Sequence, residues 1–220
     1  MLKRLLEHSY KEINGVLPHK LLGVIFDLDN TLVSSNLNFD DIRTALRCPK
    51  NIDVLDFVDT LPKKQQILAN NLLVEFELND ALNTKKLLGT GELIELLSRL
   101  GIPCAIVTRN CREAALIKIQ RNNIDIELLF TRADHKAKPA PDALLHLAKL
   151  WALPVENLLY VGDYLYDLQA AENAHTMSCL VTHLEVVEYA SMATIVVNEL
   201  TELSHSIELT FARETTCDSA

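Results

Sequence analysis

Five stretches of this chain are apolar at almost every position: L-L-G-V-I-F (21–26), P-C-A-I-V-T (103–108), L-L-Y-V-G (158–162), S-C-L-V-T (178–182) and T-I-V-V-N (194–198). A strand with one wet face alternates apolar and polar residues, whereas one covered on both faces does not. These runs therefore predict parallel strands sandwiched between helices. A sixth run, E-L-L-F-T (127–131), is shorter and weaker. Helical patterns fall between them at 91–101, 112–121 and 141–151, the first stopped by Gly101 and the last opened by Pro141. Repeated strand–helix–strand units need right-handed crossovers. The expected fold class is α/β, a three-layer doubly wound (Rossmann-like), mostly parallel sheet.

One segment interrupts the alternation. Almost sixty residues after the first strand hold no convincing strand, only D-D-I-R-T-A-L, I-D-V-L-D-F-V and a longer helical pattern from Pro62 to about Leu82. The expectation is a small helical cap at 34–87, inserted over the carboxyl edge of a core formed by 21–33 and 88–212. Ordinary crossover helices are the alternative. Residues 1–20 read as an amphipathic helical extension, with Leu2, Leu5, Leu6 and Ile13 on one face, and 213–220 as a disordered tail.

Bulk properties narrow the partners. With 49% hydrophobic and 23% charged residues the chain is globular, and its formal net charge of −9 argues against nucleic acid or an anionic membrane surface as a partner. No apolar run is long enough to span a bilayer. Five cysteines in no paired pattern suggest a reduced, cytoplasmic chain.

In an open α/β sheet the ligand crevice lies beyond the carboxyl ends of the strands, so polar residues just past the apolar runs are the candidates. They are Asp27, Asp29 and Thr31 after the first run, and Thr108, Arg109 and Asn110 after the second. Lys138 follows in H-K-A-K-P-A-P-D, and Asp163 and Asp167 come after L-L-Y-V-G. Close carboxylates at a buried strand end repel each other and are costly to desolvate. Hard oxygen ligands in this number suit Mg²⁺, whose charge would let them stay ionised.

The set D-L-D-N-T, the Thr of I-V-T-R-N, the Lys of K-P-A-P-D and G-D-Y-L-Y-D, in that order, resembles the haloacid dehalogenase-like (HAD) superfamily, most of whose members are phosphatases. The likeness spans about residues 21 to 210, and the position of the insert resembles the phosphoglycolate-phosphatase-like branch. The resemblance implies roles. Asp27 would be the nucleophile that forms an aspartyl-phosphate, and Asp29 the acid that protonates the leaving oxygen and later deprotonates water. Mg²⁺ would be held by Asp27, the Asp29 carbonyl and Asp163, with Asp167 in an outer position. Thr108 and Lys138 would bind phosphoryl oxygens, and Thr31 would buttress the loop. Arg109 and Asn110 would contact phosphate or substrate, surface capping being their alternative. Asn30 stands where relatives often carry Gly, and Asn tolerates unusual backbone angles.

The expected function is hydrolysis of a small phosphorylated metabolite. A phosphomutase of the β-phosphoglucomutase type and a silent HAD-like binding domain are the competitors. Specificity would come from the cap, where Asn36, Asn38, Arg43, Arg47 and Lys50 are candidates. His135 lies near Lys138 in sequence, and Cys111 near the expected pocket mouth. The glycine-free segment 182–192 has no assigned role.

Overall fold

The computed structural model describes Leu17 and residues 20–217, with side chains as far as Ala212. Apart from Leu17 and Lys20, the expected N-terminal helix lies outside the described residues.

Six parallel strands form one sheet: β1 (Gly23–Phe26), β2 (Cys104–Val107), β3 (Leu128–Phe130), β4 (Leu158–Gly162), β5 (Met177–Val181) and β6 (Ile195–Val197). Their spatial order is β3-β2-β1-β4-β5-β6. Each expected strand is present, trimmed or shifted by a residue or so. Every residue of β1, β4 and β5 is buried, the physical meaning of an apolar run without alternation. The weak run survives as the short edge strand β3.

Helices cover both faces. On one side α4 (Thr90–Arg99), α5 (Arg112–Arg121) and α8 (Leu200–Cys217) bury Leu93, Leu97, Ile119, Leu203 and Ile207. On the other, α6 (Asp142–Trp151) and α7 (Leu165–Ala174) present Ala143, Leu144, Leu147, Ala170 and Ala171 to the sheet. α4 starts behind Gly89, whose φ of 82° and contact with the Thr201 backbone leave no room for a side chain. Helix α8 continues through Cys217, five residues into the expected tail; the last three residues lie outside the description.

Between β1 and α4 come α1 (Phe39–Leu46), α2 (Val54–Thr60) and α3 (Lys63–Ala81). Asn38 caps α1 and Asp53 caps α2, each accepting two backbone N–H bonds. These helices have their own apolar cluster of Ile42, Cys48, Val54, Val58, Ala69 and Leu73. Two linkers running side by side join them to the sheet. Ser34 N donates to Lys85 O at 2.8 Å, and Leu87 N to Leu32 O at 3.0 Å.

The order of strands reverses on either side of β1, so the crevice opens at the carboxyl ends of β1, β2 and β4. Register brings those ends level, Phe26 pairing with both Ile106 and Val161. The next residues are Asp27, Thr108 and, one past Gly162, Asp163.

Candidate active site

Asp27 leaves β1 with its backbone still in the ladder, its N–H donating to Val161 O at 2.8 Å. Its carboxylate lies 2.5 Å from Lys138 Nζ, and the same ammonium is 2.6 Å from Asp167 Oδ1. All three side chains are almost wholly buried. The Tyr160 hydroxyl lies 3.1 Å from Asp167 Oδ1, and Tyr164 N donates to Asp167 Oδ2 at 3.0 Å. Gly162 makes this possible, because a Cβ there would run into the Asp167 carboxylate.

Carboxylate oxygens of Asp27, Asp163 and Asp167 lie within 4.8 Å of one another. Burial raises Asp27 to about 7, with Lys138 opposing and Asp167 and Asp29 reinforcing the shift. Burial, and then the charges of Asp167 and Asp27, raise Asp163 to about 8. Lys138 goes the other way: burial disfavours its charge, but Asp167 and Asp27 outweigh it and lift the ammonium above its ordinary value. One lysine thus leaves three carboxylates under-neutralised. Oxygen-only donors with an excess of negative charge fit a hard divalent cation.

Asn30, with φ at 51°, turns the chain after Asp29, and its Oδ1 accepts the Ser35 N–H at 3.0 Å. That turn sends Thr31 into the core and not to the cavity wall. Its hydroxyl is fully buried without a hydrogen-bond partner, so Thr31 can support the loop only by packing. Thr108, by contrast, is at the cavity wall, its Oγ1 accepting from Asn110 Nδ2 at 2.8 Å. Asn110 Nδ2 also donates to Asp29 Oδ2.

The sequence reading missed the principal partner of Asp29. Lys118, fully buried on α5, places Nζ 2.5 Å from Asp29 Oδ1 and 2.8 Å from Asp80 Oδ2. A signal was available: Lys118 is three and four residues beyond the buried Ala115 and Ala114, in phase with the covered face of α5. Burial disfavours its charge, yet Asp29 and Asp80 together raise its pKa. Removing one member of such a buried set costs about 3–5 kcal/mol.

A cavity of about 430 Å³ lies between these groups and the insert. Leu37, Phe39, Ile42, Val54, Leu55 and Leu73 form its upper wall. Of the five specificity candidates only Arg43 lines it, its guanidinium donating to the Pro49 and Ile52 carbonyls. Asn38 is occupied in capping α1. Arg109 reaches across to Asp53 at 2.5 Å, and its guanidinium lies 4.6 Å from the Tyr166 ring centre. Arg132 binds Glu77 of α3 at 2.5 Å. Every cation of these core–insert pairs is on the core and every acid on the insert.

His135 points away from the cavity, 3.0 Å from His146 and edge-on to Phe130. Burial pushes the Cys111 thiol up, the opposite of activation. The segment 182–192 props two site loops: His183 Nε2 is 2.6 Å from Asn30 O, and the Tyr189 hydroxyl donates to Asp163 O at 3.4 Å.

Fold and site together define an α/β enzyme with an acidic centre under a helical insert. A family model described as haloacid dehalogenase-like hydrolase matches residues 40–181, starting beyond D-L-D-N-T and including Thr108, Lys138, Asp163 and Asp167. The chain belongs to that family. It is 30% identical over 200 residues to an uncharacterized hydrolase of Saccharomyces cerevisiae, covering 84% of this chain and 90% of that protein. It is 26% identical to pyrophosphatase PpaX of Bacillus cereus, over 74% of this chain and 84% of the other. A hydrolase from Pseudomonas syringae shares the fold at a TM-score of 0.73 and 20% identity, covering 86% of this chain and 99% of the other. A structure from Haemophilus somnus described as a predicted phosphoglycolate phosphatase does so at 0.66 and 17%, covering 84% and 97%. Among the described residues no helix is long and apolar enough to cross a membrane.

Proposed function

We propose that this protein is a Mg²⁺-dependent phosphatase of small phosphorylated metabolites, with Asp27 as nucleophile. The observation that carries the reading is the buried Lys138–Asp27 pair at the end of β1, opening into a cavity of about 430 Å³. The pyrophosphatase and phosphatase names of relatives support it.

Asp27, the Asp29 carbonyl and Asp163 would hold the cation, with Asp167, tied to Lys138 and the Tyr164 amide, in an outer position; when bound it supplies positive charge against phosphoryl oxygens. The chain's own groups do the rest. A carboxylate oxygen of Asp27 attacks phosphorus as the ester P–O bond breaks, and Asp29 gives its proton to the departing alkoxide. A water oxygen then attacks the aspartyl-phosphate while its proton passes to Asp29. The Asp27–phosphorus bond breaks, returning the carboxylate and releasing phosphate. Lys138 opposes the burial that disfavours the Asp27 carboxylate and meets the charge that develops on the phosphoryl group, with the Thr108 hydroxyl at the same wall. Asp29 makes ester hydrolysis the better assignment than dehalogenation, since alkoxides need a proton and halides do not. The four described cysteines are free, in keeping with a reducing cytoplasm.

The test is phosphate release from a panel of metabolite esters and an aryl phosphate, with Mg²⁺ or with EDTA. Metal-dependent turnover is expected. Turnover that requires a bisphosphate activator would instead mark a mutase. A folded protein inert toward every ester would leave only a binding role.

A further inference from the structure

Lys118 is the one fully buried cation among the described residues, and the catalytic scheme above does not use it. Its ammonium has three N–H groups and three oxygen partners: Asp29 Oδ1 at 2.5 Å, Asp80 Oδ2 at 2.8 Å and Asn110 Oδ1 at 3.5 Å. It is absent from the cavity wall and meets that wall through Asp29, its shortest contact, and more distantly through Asn110. Asp29, for its part, has both oxygens engaged, one by Lys118 and one by Asn110.

The second acid explains why this arrangement reaches beyond Asp29. Asp80 lies at the end of α3, just before the returning linker of the insert. It also receives the outgoing linker: Ser35 Oγ donates to Asp80 Oδ2 at 2.8 Å, and Asn36 N to Oδ1 at 2.7 Å. One buried ammonium therefore touches the loop that carries Asp29 and the point where both linkers meet. Desolvating a cation is costly, and an apolar side chain would fill this space at less expense.

We propose that Lys118 is a positioning residue for Asp29. Through Asp80 it makes the seating of the helical insert and the orientation of the Asp29 carboxylate a single event. This rests on the assignment of Asp29 as the group that handles the leaving-group proton.

The experiment compares wild type, Lys118→Met and Asp80→Asn on an alkyl phosphate and on p-nitrophenyl phosphate. An aryl oxide departs with little need of a proton, so a misplaced Asp29 harms the alkyl ester more. Lys118→Met is expected to lose at least about tenfold more kcat on the alkyl ester than on the aryl one, general-acid contributions being about 10²–10⁴-fold. Asp80→Asn should shift the same ratio in the same direction. In an Asp29→Asn background, Lys118→Met should leave the ratio where it is. A purely structural lysine would lower both esters alike, and that result overturns the proposal. If Lys118→Met does not fold, an unchanged ratio in Asp80→Asn overturns it equally. Hydrogen exchange at the Ser34 and Leu87 amides, which close the paired linkers, should rise in Asp80→Asn; unchanged exchange rejects the link to the insert. Should wild type hydrolyse no ester, the phosphatase reading fails by itself, and the exchange measurement still decides the link.

Discussion

Arg109 and Asp53 meet at the mouth of the cavity, guanidinium Nη2 to carboxylate Oδ1 at 2.5 Å, one from the loop after β2 and the other from the cap of α2. Burial pushes the Asp53 carboxyl up, but the Arg109 charge and hydrogen bond, together with the Asp56 and Leu55 amides it caps, hold the group below its ordinary value. Asp53 therefore performs two jobs. Asp53→Ala removes the ion pair and the two N-cap bonds, and about 1–2 kcal/mol of stability is expected to go with them in urea denaturation. Asp53→Asn keeps a capping oxygen and should lose less. Arg109→Ala should lose no more than about 1 kcal/mol, because the pair is partly open to water.

Asp27→Asn should remain folded while its turnover falls below about one thousandth, the scale on which a missing nucleophile acts. Parallel phosphate-release and melting measurements check it. Retained turnover would remove Asp27 from the nucleophile's role.

Asp27 and Asp163 set the pH dependence of the metal-free protein. Their folded-state values of about 7 and about 8 lie above the ordinary 3.8, so between those limits the folded chain holds protons that the unfolded chain has released. Stability contributed by these groups is then lost as pH rises through 7 and 8. In EDTA the melting temperature should fall between pH 6 and pH 8 on their account. Mg²⁺ should raise it more at pH 8 than at pH 6. Asp163→Asn should flatten both trends, and a Mg²⁺ effect equal at the two pH values would contradict the assignment of the site.

Gly162→Ala places a methyl against the Asp167 carboxylate, which holds Lys138 and the Tyr164 amide. Overpacking of this kind costs about 1–3 kcal/mol. Here it should also displace Lys138 from Asp27, so activity is expected to fall further than the melting temperature suggests. Activity and calorimetry on one preparation measure both.

Two contrasting residues show how far local chemistry carries. Asp163 sits one residue past β4, and its place at the crevice follows from strand period and the topology of parallel sheets. Thr31 belongs to the same ordered pattern, but the left-handed turn at Asn30 carries it into the core. Strand-end logic is accurate to the first residues beyond the ladder and fails once a turn intervenes.

The apolar runs, helix stops and ordered acidic motifs determined the layered sheet, the helical insert and the identities of Asp27, Lys138, Asp163 and Asp167. The sheet and the insert follow from short-range periodicity, and the four site residues from ordered motifs that resemble the family. Only the tertiary structure decided that Lys118 stands behind Asp29, that Arg109 holds Asp53, and that 182–192 braces the Asn30 and Asp163 loops. Those pairings join residues 26, 56, 89 and 153 positions apart. A charged side chain carries no local mark of its partner; the partner is set by which helix faces and loop ends the packed sheet brings together.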